Sequence, residues 1–147
     1  LAIVVTNQPV IARGECTYEE LEKIHNKLET LLGRKGAFIN DLFFCPHHPH
    51  KGYKGEIPEL KIDCNCRKPK TGMIVKAADK YNIDLSKSWF VGDTTGDIQT
   101  GINAGLKTVL VKTGEAGKDG KYPVKADFEA DNLADAVDII LNANNLP

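Results

Sequence analysis

The segment WFVGDTTGDIQTGINAGLKTVLV, residues 89–111, decides the fold. It opens with a short apolar run, Trp89 to Val91, that ends at Gly92-Asp93. Apolar residues then recur at helical spacing as far as Gly105, and a β-branched run follows over Thr108 to Val111. This order predicts two parallel strands joined by a helix, because a glycine just past the last apolar position commonly ends a helix.

The rest of the chain repeats this alternation of strand and helix. Further strands are predicted at Ala2 to Thr6, at Phe38 to Phe44 and near Phe128. A capping box of Thr17 and Glu20 predicts a helix that ends at Gly33 and packs on the sheet through one apolar face, formed by Leu21, Ile24, Leu28, Leu31 and Leu32.

Two more helices complete the predicted α/β fold. One begins at Thr71 and ends near Tyr81, and the other runs from Leu133 to about Leu141 with Asp131 or Asn132 as its N-cap. The fold class is a Rossmann-like, three-layer α/β/α parallel sheet, whose ligands bind at the carboxyl ends of the strands. The segment from Gly114 to Lys121 is predicted to be a plain surface loop.

The length and the net charge of the chain restrict the classes of function that it can have. The chain has 147 residues, which predicts a single domain over 1–147. A net charge of -1 argues against nucleic-acid or anionic-membrane partners, which need a broad positive field. No apolar run approaches the ~20 residues that cross a bilayer, so we expect a soluble, cytoplasmic protein. Because Leu1 leads directly into an apolar strand without a preceding Met, we also expect upstream residues to be missing.

Four metal-ligand residues lie in an otherwise aperiodic segment, in the order CxH and then CxC. They are Cys45, His47, Cys64 and Cys66. Three thiolates and one imidazole form a closed set suited to structural zinc, so we predict a zinc-binding loop over residues 45–66. A disulfide and chance clustering are the alternatives, His48 and His50 are rival ligands, and Cys16 is predicted to be an ordinary thiol.

Polar residues that could bind phosphate follow predicted strands or the zinc loop. Arg67-Lys68-Pro69 could form a clamp for phosphoryl oxygens or a solvated basic turn. Thr6-Asn7-Gln8 ends the first strand and could hold an anion or be a polar turn. Asp93 is predicted to bind Mg²⁺, with Gly92 allowing a ligand to approach closely. Asp97 either orients the magnesium shell or favours the helix N-terminus by its charge.

Taken in order, VVTNQ, CPHHPH, CNCRKP and VGDTTGD resemble the haloacid dehalogenase (HAD) superfamily. The closer resemblance is to its zinc-containing branch of D-glycero-D-manno-heptose-1,7-bisphosphate phosphatases and histidinol-phosphate phosphatases. This resemblance implies a magnesium-dependent phosphatase in which an aspartate attacks phosphorus and the aspartyl-phosphate is then hydrolysed. The implied cofactors are Mg²⁺ and Zn²⁺, and the implied partner is a small-molecule sugar phosphate.

The resemblance also implies a role for individual residues. Thr6 and Lys68 would be catalytic, Thr6 by binding the transferring phosphoryl group and Lys68 by neutralising its charge. Arg67 would recognise the other end of the substrate, which would also be contacted by Asn7, Gln8, Pro9 and Thr94. Asp93 would hold Mg²⁺, and the Cys/His quartet would hold zinc.

Three departures from the family pattern bear on activity. The family begins with a strand ending in DxD, which supplies the nucleophile, and no such segment precedes Leu1. The resemblance therefore implies that this chain alone is inactive and folds poorly, with a gap between Thr6 and Asp93. Val10 stands where relatives often carry Gly, and Thr94 stands where some carry a substrate-contacting Lys.

Three functions are consistent with these features. The first is release of the 7-phosphate of a heptose bisphosphate. The N–H donors of the Arg67 guanidinium could bind the second phosphate of such a substrate. The second is hydrolysis of histidinol phosphate by the same chemistry. The third is a non-catalytic, zinc-stabilised module that binds a sugar phosphate.

Overall fold

Two parallel sheets and four helices make up the described part of the computed structural model, residues 1–144. The chain divides into two units at Arg67-Lys68. The first unit contains β1 (Ile3–Asn7), α1 (Tyr18–Gly33) and β2 (Asp41–Cys45). The second contains α2 (Gly72–Tyr81), β3 (Trp89–Gly92), α3 (Thr95–Asn103), β4 (Lys107–Val111), β5 (Phe128–Ala130) and α4 (Leu133–Asn144). The predicted α/β alternation is confirmed, whereas the single domain stays a prediction.

In the first unit, β1 and β2 pair in parallel, with Ile3 opposite Asp41 and Asn7 opposite Cys45. Their carboxyl ends therefore meet at one edge of the sheet. The connecting helix α1 begins as predicted at the Thr17 capping box. The Glu20 backbone N–H donates to Thr17 Oγ1 over 3.1 Å, and the Thr17 N–H donates to Glu20 Oε2 over 2.8 Å. This reciprocal pair satisfies two N–H groups that the helix itself leaves without partners.

The apolar face of α1 is less buried than predicted. Leu21 is 2% exposed, but Ile24, Leu28 and Leu31 are 58%, 37% and 47% exposed. A sheet of two strands, about 5 Å apart, is narrower than the apolar stripe of a four-turn helix. The prediction that this whole face packs on the sheet is therefore wrong for Ile24, Leu28 and Leu31, whereas Leu32 is half-buried.

The start of β2 also differs from the prediction. Phe38 is exposed, and pairing begins only at Asp41. The chain leaves α1 through Gly36, whose φ of 71° is left-handed, and the Ala37 N–H donates to Leu32 O over 3.0 Å. These contacts hold the residues after Gly33 against the end of the helix, so they are not available for strand pairing.

In the second unit, β3, β4 and β5 form a parallel sheet in that order. One buried apolar cluster of this unit is formed by Val109, Val111, Ala130 and Ala136. The last helix begins after Asn132, whose Oδ1 accepts from the Asp135 N–H over 3.1 Å, while Asp131 pairs with Lys112 over 2.8 Å. Asn132 is thus the N-cap, and α4 extends beyond the predicted Leu141 to Asn144.

Among residues 1–144, no helix combines the length and the apolar composition that a membrane crossing requires.

Gly101 lets α3 pack directly on the sheet. A Cβ at this position would lie 2.5 Å from Thr108 Cγ2 and 3.0 Å from Phe90 Cβ. Gly101→Ala is therefore expected to lower the free energy of unfolding by about 1–3 kcal/mol through overpacking. At Gly33 a Cβ would meet nothing within 4 Å, so Gly33→Ala should raise stability by up to about 1 kcal/mol. Urea unfolding of both variants checks this, and equal effects would contradict the packing account.

Candidate metal cluster and phosphate site

Four metal-ligand side chains converge at the carboxyl end of β2. Each of Cys45, His47, Cys64 and Cys66 offers one ligand atom, and these atoms all lie within 4.8 Å of one another. Cys66 Sγ lies 3.1 Å from Cys45 Sγ, 3.3 Å from Cys64 Sγ and 3.3 Å from His47 Nδ1. The structure thus brings together the four residues that the CxH and CxC spacings single out.

The electrostatics of this cluster suit a divalent cation. Burial raises the pKa of the Cys45 and Cys66 thiols. Burial acts on Cys64 as well, but hydrogen bonds from Cys66 and Cys45 outweigh it and lower the pKa of Cys64. Because burial disfavours the charged form of a thiol, three thiolates together need a positive charge among them. Sulfur and imidazole ligands of this number fit Zn²⁺.

His48 and His50, the rival ligands, lie outside the cluster. His48 Nδ1 is 3.2 Å from the His50 carbonyl oxygen, and the His48 N–H donates to Leu60 O over 3.1 Å. The His48 ring also packs edge-on against Tyr53 at 5.3 Å between centroids. These contacts turn His48 towards the far part of the loop, so that His47 alone contributes an imidazole.

A second attachment within the loop was not predicted from the sequence. The Lys61 side chain is fully buried, with its Nζ 3.3 Å from Glu56 Oε2 and 4.7 Å from the centre of the Tyr53 ring. Glu56 Oε2 also accepts the N–H groups of Gly52 and Tyr53 over 3.0 and 3.1 Å. The hydrogen bond from Tyr53 is the main cause that lowers the pKa of Glu56. Residues 52–61 are thus fastened independently of the Cys/His cluster.

The predicted phosphate-binding residues of the first unit have well-defined partners. Thr6 Oγ1 accepts from Gln8 Nε2 over 3.1 Å, and the Gln8 N–H donates to Cys45 O over 2.7 Å. Arg67 Nη1 donates to His47 O over 3.1 Å, which ties the guanidinium to the ligand loop. The substrate contacts of Thr6, Asn7, Gln8, Pro9 and Arg67 stay predictions.

In the second unit, Asp97 combines two contacts in the first turn of α3. Its Oδ2 accepts from the Thr94 N–H over 3.1 Å and from Thr94 Oγ1 over 2.8 Å, completing a capping box. Its Oδ1 accepts from Lys68 Nζ over 2.5 Å, and both side chains are largely buried. Asp97 therefore favours the helix N-terminus and also positions the Lys68 ammonium.

Thr94 and Gly92 have structural roles around α3 that were not predicted from the sequence. The Thr94 hydroxyl takes part in the α3 cap, so its predicted substrate contact stays a prediction. A Cβ at Gly92 would lie 2.3 Å from Asp97 Cβ and 2.8 Å from Asp97 Oδ2. The Asp97 side chain is thus a group that approaches Gly92 closely, and the close approach of a ligand to Gly92 stays a prediction.

The loop over Gly114 to Lys121 lies at the surface as predicted, but it also contacts the β3–α3 turn, which the sequence did not indicate. Asp93 Oδ2 accepts from the Glu115 N–H over 2.9 Å. Asp119 accepts from the Thr95 N–H over 2.7 Å and from Thr95 Oγ1 over 2.8 Å. Burial would raise the pKa of Asp119, but these hydrogen bonds outweigh it and lower that pKa.

Comparison with known proteins identifies the family. The family model described as HAD-hydrolase-like matches residues 65–136. D-glycero-alpha-D-manno-heptose-1,7-bisphosphate 7-phosphatase of Photorhabdus laumondii is 44% identical over 76% of this chain and 60% of its own length. D-glycero-beta-D-manno-heptose-1,7-bisphosphate 7-phosphatase of Yersinia pestis is 37% identical over 96% of this chain and 67% of its own length.

A solved structure gives the same result. The crystal structure of D,D-heptose 1,7-bisphosphate phosphatase from B. bronchiseptica, complexed with magnesium and phosphate, matches with a TM-score of 0.80 and 30% identity. The match covers 96% of this chain and 74% of that one. The chain spans 60% and 67% of the length of the two curated relatives. It has the HAD-like α/β fold and belongs to the HAD-like hydrolases, in the branch of the heptose-1,7-bisphosphate phosphatases.

Proposed function

We propose that this protein is a magnesium-dependent phosphatase that releases the 7-phosphate of D-glycero-D-manno-heptose 1,7-bisphosphate. The observation that carries this proposal is the ion pair of Lys68 Nζ and Asp97 Oδ1, 2.5 Å apart, in which Asp97 lies in the first turn of α3, shortly after Asp93. A buried ammonium beside a carboxylate at the end of a parallel strand is suited to phosphoryl transfer, which depends on positioned charge. The names of the relatives support the choice of substrate.

The residues of the proposed site have different roles in binding phosphate, sugar and metal, according to their chemistry. Lys68 neutralises the phosphoryl oxygens, and Thr6 binds the same group through its hydroxyl. Arg67, a planar fork of N–H donors, recognises the second phosphate, while Asn7, Gln8, Pro9 and Thr94 lie along the sugar. Asp93, with Asp97 behind it, would hold Mg²⁺, which when bound supplies Lewis-acid stabilisation of the phosphoryl charge.

The nucleophile in this proposal is an aspartate of a DxD segment upstream of Leu1. Its carboxylate attacks phosphorus as the bond to the sugar oxygen breaks, the second aspartate of the DxD segment gives that oxygen a proton, and water then hydrolyses the aspartyl-phosphate. No DxD occurs within the 147 residues, and the relatives are longer than this chain. On this proposal the 147 residues alone do not turn over substrate.

The Cys/His cluster is proposed to hold structural zinc. The four residues form a closed set that keeps no position for a catalytic water. Closing the loop between His47 and Cys64 costs roughly 2–3 kcal/mol beyond a constant. Structural zinc contributes about 10–16 kcal/mol in small peptides, which is ample to hold this loop.

The substrate is tested by comparing kcat/KM of the full-length enzyme on heptose 1,7-bisphosphate and on histidinol phosphate. We expect a preference for the bisphosphate of at least about 100-fold, since a monophosphate leaves the Arg67 guanidinium without an anionic partner. Arg67→Ala should reduce that preference by acting mainly on the bisphosphate. A preference for histidinol phosphate would reverse the assignment, and binding of either compound without hydrolysis would favour a non-catalytic module.

A further inference from the structure

The loop after β4 holds Asp93 by both its side chain and its backbone. The Glu115 N–H donates to Asp93 Oδ2 over 2.9 Å, and the Gly117 N–H donates to the Asp93 carbonyl oxygen over 2.8 Å. A carboxylate that accepts a hydrogen bond on one oxygen is restricted in its rotation. The orientation of Asp93 is therefore set by residues more than twenty positions further along the chain.

Gly114 makes this contact possible. Its φ is 73°, a left-handed conformation that glycine adopts at little energetic cost. A Cβ at this position would lie 2.2 Å from Asp93 Oδ2 and 3.0 Å from Asp93 Cγ. Any larger residue would thus displace the carboxylate itself, in addition to straining the backbone.

The far end of the same loop is anchored to α3. Asp119 accepts two hydrogen bonds from Thr95, through its N–H and its hydroxyl. Thr95 Oγ1 in turn accepts from the N–H groups of Lys121 and Tyr122 over 3.1 and 3.2 Å. The loop therefore rests on the first turn of the helix that carries Asp97, which fixes its position against Asp93.

We propose that residues 114–117, here called the carboxylate-support loop, position Asp93 for binding a divalent cation. The inference rests on the proposed function, because it takes Asp93 as a magnesium ligand. Loss of a group that orients a metal ligand typically weakens metal affinity by about 10–100-fold. Gly114 and the Glu115 N–H are thus positioning groups that act through Asp93.

The test compares two glycine variants with nearly equal backbone conformations. Gly114 has a φ of 73° and Gly105 a φ of 72°, but a Cβ at Gly105 would meet nothing within 4 Å. Both alanine variants carry the same left-handed strain, and only Gly114→Ala displaces Asp93. Titration calorimetry with Mg²⁺ on the full-length protein should show an affinity about 10–100-fold weaker in Gly114→Ala and nearly unchanged in Gly105→Ala. Equal Mg²⁺ affinities of these two variants would overturn the inference.

Asp93→Asn separates this inference from the proposed function. If Asp93→Asn binds Mg²⁺ as the parent does, the assignment of Asp93 as a ligand fails. If Asp93→Asn loses Mg²⁺ while Gly114→Ala matches Gly105→Ala, only the support loop is refuted.

A third variant keeps the test decisive if Gly114→Ala does not fold. Asp119→Ala removes the anchor at Thr95 and leaves Asp93 untouched. It is expected to weaken Mg²⁺ binding by about threefold or more, and unchanged binding would refute the inference on its own.

Discussion

Replacing Lys68 with alanine in the full-length enzyme is expected to lower kcat and kcat/KM together, by about 100- to 1,000-fold. The Lys68 side chain is 16% exposed, and its Nζ is held 2.5 Å from Asp97 Oδ1. A positioned ammonium about 4 Å from a phosphoryl charge contributes up to ~4 kcal/mol at an effective dielectric constant of 20. Because charge develops on the phosphoryl group during transfer, its loss should slow the chemical step rather than weaken binding alone.

Lys70→Ala is the matched control, since Lys70 is an exposed lysine two residues further along the chain. It should leave both constants nearly unchanged. Melting temperatures of the two variants show whether loss of the Asp97 pair has unfolded α3. A Lys68→Ala variant that changes KM alone would assign Lys68 to simple binding and contradict its catalytic role.

Removal of zinc, or the substitution Cys64→Ser, is expected to lower the free energy of unfolding by more than about 4 kcal/mol. For a chain of this size, that corresponds to a fall in Tm of about 8–16 °C. Burial opposes ionisation of all three thiols and raises the pKa of Cys45 and Cys66, so three thiolates together depend on a cation among them. Hydrogen exchange should rise mainly in residues 45–51 and 62–68, which flank the contact of Lys61 with Glu56, and metal analysis should show less zinc.

Cys16→Ser serves as the control for the thiol substitution. Cys16 lies outside the cluster and donates to the Thr17 carbonyl oxygen over 3.3 Å. Its replacement should change neither the zinc content nor the Tm by more than a small amount. An unchanged Tm after complete zinc removal would contradict a structural role for the metal.

Local signals allowed much of the fold to be predicted. The Thr17 capping box and the end of α1 at Gly33 depend on residues within one or two helical turns, and both are confirmed. The Cys/His cluster was also predictable, because each half of it is a tight two-residue chelate. Parallel pairing followed from the alternation of strand and helix.

Contacts between distant residues could not be predicted in this way. The hydrogen bond from the Glu115 N–H to Asp93 joins residues 22 positions apart in the sequence. The hydrogen bond from the Thr95 N–H to Asp119 joins residues 24 positions apart. Neither pair has a spacing that marks it in the sequence. The exposure of Ile24 on α1 likewise depends on the width of the sheet that the helix meets, which the periodicity of the helix does not specify.

The buried contact of Lys61 with Glu56 and Tyr53 bears on how quickly the cluster can regain a lost ion. Since this contact involves no sulfur, residues 52–61 can stay ordered in the metal-free protein, and only the flanking residues must be reorganised. Most of the conformational entropy of the chain between His47 and Cys64 is then already lost before the ion binds. If the cluster holds zinc as proposed, reloading should be a rapid local step, and a transient shortage of zinc would not require the protein to refold.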